Sequence, residues 1–358
     1  MHVQIDLLRQ QILTAASEQR PLRIRGGGSK DWYGGALTGE VLDMRALTGI
    51  IDYEPTELVI TARSGTPLAE IEAALLEQNQ MLAFEPPHFG PGATLGGVVA
   101  AGLSGPRRAT SGAVRDFVLG AVLMDGRGEV LNFGGQVMKN VAGYDVSRLL
   151  AGSMGTLGVM LQHSIKVLPR PVSEATVRFA MSEIEAINQL NVWGGQPLPV
   201  SASCWHDGAL TVRLSGASAA VDAALRAFGG EVIEPAQAEA FWASLREQTH
   251  RFFNDAGSLW RLSVPPVTGA LVLQGEQLIE WGGAQRWLKV PPGDSAQQAA
   301  TIRASVRAAG GHATLFRQDE SSTGIAVFEP LAPAIARIHQ RLKQSFDPAN
   351  IFNPGRMF

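Results

Sequence analysis

Four glycine-rich segments constrain this chain more than any other feature. They are Arg25-Gly26-Gly27-Gly28-Ser29-Lys30, the run from Pro91 to Ala100, Lys139 to Val146, and Gly152 to Val159. The chain's 40 glycines are not low-complexity repeats; they gather in these short stretches of its first half. Glycine is selected where backbone must turn tightly or approach a ligand closely. Gly26, Gly27 and Gly28 directly follow an alternating run, Leu22-Arg23-Ile24-Arg25, that reads as a strand. Three consecutive residues without Cβ can present backbone N–H groups to an anion; Ser29 can donate another hydrogen bond and Lys30 adds charge. A pyrophosphate suits such a loop, and so does a plain turn between strands. The spacing is neither a P-loop nor a dinucleotide fingerprint opening a helix, which disfavours a nicotinamide site.

The second segment reads Gly92-Ala93-Thr94-Leu95-Gly96-Gly97, followed by valines and alanines. Gly96 and Gly97 permit close approach, and the small-residue turn after them can lie under a flat ring or cross another helix. Ser104, Gly105 and Gly112 extend this small surface. In the third segment, Gly143 and Tyr144 precede Asp145, which is expected to cap the helix that carries Val146. The fourth, with Gly152, Gly155, Thr156, Gly158 and Val159, can set backbone donors and acceptors against a polar heterocycle such as adenine.

With 358 residues the chain can bury two cores. Its net charge of -3 provides no basic field for nucleic acid. The single cysteine, Cys204, excludes an internal disulfide and a cysteine-ligated cluster, and is expected to be a buried thiol. The N-terminal run contains Asp6 where a signal peptide would be apolar, and no stretch approaches about 18 apolar residues. The cytoplasm is therefore the expected location. Thr66 is expected to cap a helix with Pro67 at its first position. Asp125-Gly126-Arg127-Gly128 signals a hairpin. Pro169-Arg170-Pro171 marks a boundary, after which strands and Ala-rich helices alternate.

The glycine segments, together with Glu85-Pro86-Pro87-His88, Val114-Arg115-Asp116-Phe117, Lys139-Asn140-Val141-Ala142-Gly143-Tyr144-Asp145 and Asn353-Pro354-Gly355-Arg356, resemble the flavoproteins of the vanillyl-alcohol oxidase (PCMH-type) FAD-binding fold. Within that fold the chain resembles the E-subunit family of bacterial glycolate oxidase. The resemblance covers nearly the whole chain and is weakest between about Val172 and Gly257.

It implies an α+β protein: a two-lobed PCMH-type FAD-binding domain over 1–171, an α+β cap domain over 172–330, and a C-terminal segment, 331–358, returning to the FAD domain. It implies FAD, with the first loop on the pyrophosphate, the Thr94 to Gly97 turn and Ser104-Gly105 near phosphate and flavin, and the Gly152 to Val159 segment at the adenosine end. Arg115, Asp116 and Asn353 join the expected cofactor residues. Neither a histidine in the first loop nor a suitably placed cysteine is present, so the expected FAD is noncovalent.

The resemblance also implies partners: an FAD-linked catalytic D-type subunit and an iron–sulfur subunit carrying electrons to quinone, with peripheral membrane association through the complex. Glycolate, or another small 2-hydroxy acid, is the expected substrate. In the cap, Arg261 and Lys289 can hold a carboxylate or form salt bridges, and His312 can move a proton or cross-link strands. His312 has Asp319 where related dehydrogenases place a second histidine, so no metal site is expected. Three functions stay open: a subunit of a glycolate-oxidising complex, a self-sufficient 2-hydroxy-acid dehydrogenase, or a structural subunit that retains FAD.

Overall fold

The structure, a computed structural model, describes residues 2–135, 145–254, 257–293 and 295–357. It forms two compact units. The first comprises Met1–Ser104, Gly112–Arg170 and Leu331–Phe358; the second comprises Gly105–Ser111 and Pro171–Pro330. The Gly105–Ser111 segment, assigned to the first domain on sequence, thus belongs with the second unit, because its side chains find partners there. Arg107 Nη2 lies 2.6 Å from Glu174, and Trp281 Nε1 donates to the Gly105 carbonyl.

The first unit is built on a five-stranded antiparallel sheet in the order Ile50–Glu54, Val59–Arg63, Val159–Lys166, Val118–Met124, Val130–Gly134. The last two strands are joined by the expected Asp125 to Gly128 hairpin. The helices Leu68–Glu77 and Leu95–Ala101 bury Leu68, Ile71, Leu75, Leu95, Val98 and Val99 against one face, around Ala62, Ala121 and Ile165. A second core gathers Leu8 and Ile12 of the opening helix, Leu42, Met124, Val159, Ile351 and Phe352.

The helix after Pro67 begins at Leu68, one residue later than expected. Thr66 does not cap it: its hydroxyl accepts from the Gly49 N–H and bonds the Gly49 carbonyl. A β-branched hydroxyl this deep is better satisfied across the chain than by its own helix.

A small parallel pair, Leu22–Arg25 with Glu40–Asp43, carries the first glycine loop. The C-terminal segment lies along it. Leu22 donates to the Ile351 carbonyl, Asn353 N–H donates to the Leu22 carbonyl, and Phe352 bridges Leu22 in parallel. A buried ion pair fixes this segment. Lys343 Nζ is 2.5 Å from Asp347 and also donates to the carbonyls of Thr156 and Phe352. Asp347 in turn accepts the N–H groups of Ile351 and Phe352.

The second unit is an eight-stranded antiparallel sheet. Sequence patterning located the strands around Val177, Leu210, Trp260 and Arg286. It did not find Val200–His206, Glu276–Glu280 or His312–Arg317. In these strands polar residues share a face with apolar ones, Ser201 and Ser203 with Trp205, Glu276 and Glu280 with Leu278, His312 and Thr314 with Phe316, so no clean alternation announces them. One stretch of the sheet packs Trp260, Leu262, Leu288, Ala313 and Leu315 against the helix Ser295–Ala308. Cys204 is a buried free thiol, its pKa pushed well up by burial and by Glu280.

Candidate functional site

The first unit contains an open cleft with about 560 Å³ of empty space. Its floor is the expected first loop, from Gly26 to Lys30. Its walls include Thr94 and Gly97 of the second glycine segment, Ala100 and Ala101 of the helix that follows, Met154 of the fourth segment, and Asn353 and Arg356 of the C-terminal segment. Residues more than 300 positions apart in the chain are therefore brought to one place.

The loop is shaped by close backbone contact. A Cβ on Gly27 would lie 1.4 Å from the Gly92 carbonyl, and one on Gly26 would lie 2.3 Å from Thr94 Oγ1. The close approach at Gly27 is thus to the protein's own backbone. Gly28 has φ +76°, where only glycine rests without strain. Among the described residues, no acceptor receives the backbone N–H groups of Gly27, Gly28 or Ser29. These three successive half-buried residues line the cleft, and consecutive open amides of this kind are suited to an anion. Arg25, Lys30 and Arg356 line the same cleft, with Asp31 the acid among them. Arg25 Nε lies 2.7 Å from Asp31, and Lys30 Nζ donates to the His88 carbonyl at 3.2 Å.

The helix Leu95–Ala101 does not aim free amides at the cleft. Its Leu95, Gly96 and Gly97 N–H groups donate to Thr66 O, Ser64 O and Thr94 Oγ1. Leu95 is a core side chain, and Gly96 packs against Ser64. Gly97 differs: a Cβ there would meet only Thr94 Oγ1, at 3.2 Å, while the residue lines the cleft. That makes it the cleaner probe. Gly97→Leu is expected to leave the fold intact and weaken FAD at least tenfold, or by about 1.4 kcal/mol, in a fluorescence titration. Wild-type affinity in that variant would remove the cleft from consideration.

Several expected cofactor residues also have structural partners within the chain. Gly92 supports Gly27. Ser104 Oγ accepts from Val114, and Gly112 turns beside Asp116. Asp116 accepts the Ala113 N–H, while Arg115 is exposed. Asp145 caps the helix Val146–Leu149 by accepting from Arg148. Gly152 donates to Val99 O, Thr156 Oγ1 donates to Ser153 O, and Gly155 lies against Asn353 Nδ2. Gly158 turns past the Met124 carbonyl, and Val159 is a core residue paired with Met124. Asn353 lines the cleft and is also a hub: Ile24 N–H donates to its Oδ1 and its Nδ2 donates to the Met154 carbonyl. Gly143 and Tyr144 lie outside the described residues. Arg25, Arg356 and Met154 were not foreseen; the signal for Arg356 was its place in the Asn-Pro-Gly-Arg motif, read there only as a family mark.

In the second unit, strand register puts Arg261, Thr314 and His312 on one face of the sheet. The Arg261 guanidinium stands 5.6 Å over the Phe316 ring. His312 is exposed, with its pKa lowered by partial desolvation and by Arg261. Lys289 is otherwise engaged: its Nζ lies 2.6 Å from Glu276 and donates to the Phe252 carbonyl. Asp319 is hydrogen-bonded to Ser258, Ser321 and Ser322. Among the described residues no group of three His, Cys, Asp or Glu side chains can hold a metal ion, and no helix is long and apolar enough to cross a membrane.

Comparison with known proteins gives this geometry its family. A profile described as "FAD binding domain" matches residues 6–134. The glycolate oxidase subunit GlcE of Escherichia coli (strain K12) is 51% identical over 98% of this chain and 96% of its own length. This chain belongs to the GlcE family. The glycolate oxidase subunit GlcD of Bacillus subtilis (strain 168) is 31% identical over 50% of the chain and 38% of its own length. A D-lactate dehydrogenase of Archaeoglobus fulgidus is 36% identical over 44% of the chain and 36% of its own length. The solved structure of alkyldihydroxyacetonephosphate synthase superposes with a TM-score of 0.67 at 14% identity, over 97% of this chain and 74% of that one. The GlcE-family chain thus has the α+β, PCMH-type FAD-binding fold and FAD as its cofactor.

Proposed function

We propose that this chain is the FAD-binding E-type subunit of a complex that oxidises glycolate to glyoxylate. The observation that carries the reading is the cleft of the first unit, with three unengaged amides and an excess of cationic side chains. On this reading the Gly26 to Lys30 loop binds the FAD diphosphate, and Gly97 with Ala100 and Ala101 provides a flat wall for a ring. Bound FAD supplies an acceptor for hydride and a relay for electrons. The D-type subunit performs the oxidation, and an iron–sulfur subunit passes electrons towards quinone at the inner face of the membrane, with this chain cytoplasmic. What supports the division of labour is the second unit. Lys289, one of the three polar side chains suited to a hydroxy acid, is tied to Glu276 and so withdrawn from a substrate carboxylate.

The flavin is expected to be noncovalent: acid precipitation should release the yellow chromophore into the supernatant, and colour retained in the pellet would refute this. The purified, FAD-loaded chain is expected to show little or no bleaching when mixed anaerobically with glycolate. The Arg261–His312 face favours one second reading, a self-sufficient dehydrogenase. Rapid bleaching that is lost in His312→Ala would establish that reading in place of the first.

A further inference from the structure

Arg25, Lys30 and Arg356 line the cleft with one carboxylate among the lining residues, Asp31, which Arg25 holds. Arg356 is the unusual member. It is only 6% exposed, and among the described residues no carboxylate lies within ion-pair distance of it. The acid whose charge it feels, Asp31, is already held by Arg25. Its guanidinium donates instead to three carbonyls of one loop: those of Gly35, of Lys30 at 3.2 Å, and of Asp31 at 2.8 Å. The Gly35 N–H returns a bond to the Arg356 carbonyl at 2.9 Å. Burial pushes the Arg356 guanidinium below its usual pKa, and Arg23 adds to that pressure. A buried cation bonded only to neutral acceptors is costly until an anion joins it.

We propose that Arg356 is a positioning residue that couples cofactor loading to the C-terminal segment: its charge is completed by the FAD diphosphate, so that binding FAD and docking the last residues of the chain are one event. The proposal rests on the FAD reading of the cleft. Arg356 spans the 30–35 loop on one side and, through Asn353 and Phe352, the Leu22–Arg25 strand on the other. Linkage then requires that whatever strengthens FAD strengthens tail docking equally.

The test uses the full chain stripped of FAD. Hydrogen exchange of the Ile351–Met357 amides is measured with and without FAD, and FAD affinity is titrated across salt concentrations. In the wild type, saturating FAD is expected to slow tail exchange at least tenfold. In Arg356→Met, the dissociation constant is expected to rise at least tenfold, its salt dependence to flatten, and tail exchange to stop responding to FAD. Arg356→Lys keeps the charge and is expected to restore the salt dependence with intermediate affinity. Wild-type tail exchange that ignores FAD overturns the proposal, and this measurement needs no variant to fold. So does Arg356→Met with wild-type affinity, or with weaker affinity but unchanged salt dependence, which would indicate a role in loop shape alone. A wild-type chain with no FAD affinity sinks the cofactor reading as well, whereas normal wild-type binding beside an indifferent Arg356→Met sinks this proposal only.

Discussion

Asp347→Ala is expected to destabilise the first unit by about 3–5 kcal/mol, the cost of leaving one member of a buried ion pair without the other. Asp347 is 1% exposed and Lys343 8% exposed. The carboxylate meets the Lys343 ammonium and two backbone amides, those of Ile351 and Phe352. Removing it leaves a buried cation with two carbonyl partners and strands two donors. Burial already lowers the Lys343 pKa, with Asp347 opposing that shift, so the variant's lysine should favour its neutral form further. Because the chain has two units, the loss should appear in one unfolding transition rather than uniformly. Differential scanning calorimetry on wild type and variant resolves this. An unchanged first-unit transition would mean that the pair contributes nothing net.

The second large effect is acid sensitivity centred on His163. This residue is 0% exposed on the Val159–Lys166 strand, paired with Ala62 on one side and Ala121 on the other. Two small neighbours leave room for the imidazole, but neither ring nitrogen has a hydrogen-bond partner among the described residues. Desolvation pushes its pKa from 6.5 to about 4. Above pH 6.5 the ring is neutral in folded and unfolded chain alike and has no effect on pH dependence. Between 6.5 and 4 the unfolded chain takes up the proton and the folded chain does not, so stability falls as pH falls, by about 3 kcal/mol in all. Urea midpoints measured from pH 7 to pH 4 should follow this slope in the wild type and flatten in His163→Leu. The difference between the two profiles separates His163 from His250, whose pKa is also lowered to about 4 by burial and by His206. Parallel profiles would contradict the assignment.

Much of the cleft's lining was legible in the sequence. Runs of glycine are rare enough, and their physical use narrow enough, that Gly26 to Lys30, Thr94 and Gly97 could be named before any coordinates. What the pattern did not show is that several of these glycines also pack closely on the chain itself. Gly27 faces Gly92, Gly96 faces Ser64, and Gly158 faces Met124. Close approach is written the same way in sequence whether the neighbour is a cofactor or the chain itself. Thr66 was misjudged for a related reason: short polar side chains satisfy whichever backbone group the fold brings near, and that is a tertiary matter.

The cap strands were legible only where apolar residues alternate. Val200–His206 and His312–Arg317 escaped because each mixes polar and apolar residues on both faces, and their places in the sheet are set by partner strands. The pairing of Lys289 with Glu276, which removes a candidate substrate ligand, depends on the register of two strands that the pattern does not encode.

By itself, then, the sequence determined the fold class, the family, the cofactor and the glycine loop that lines the cleft, because those rest on local backbone demands and on motifs contiguous in the chain. The tertiary structure alone decided which charges are left uncompensated. Arg356 sits more than 300 residues from the loop it holds, and whether a guanidinium finds a carboxylate, a carbonyl or a cofactor phosphate is set by what three-dimensional packing places within a few ångströms of it.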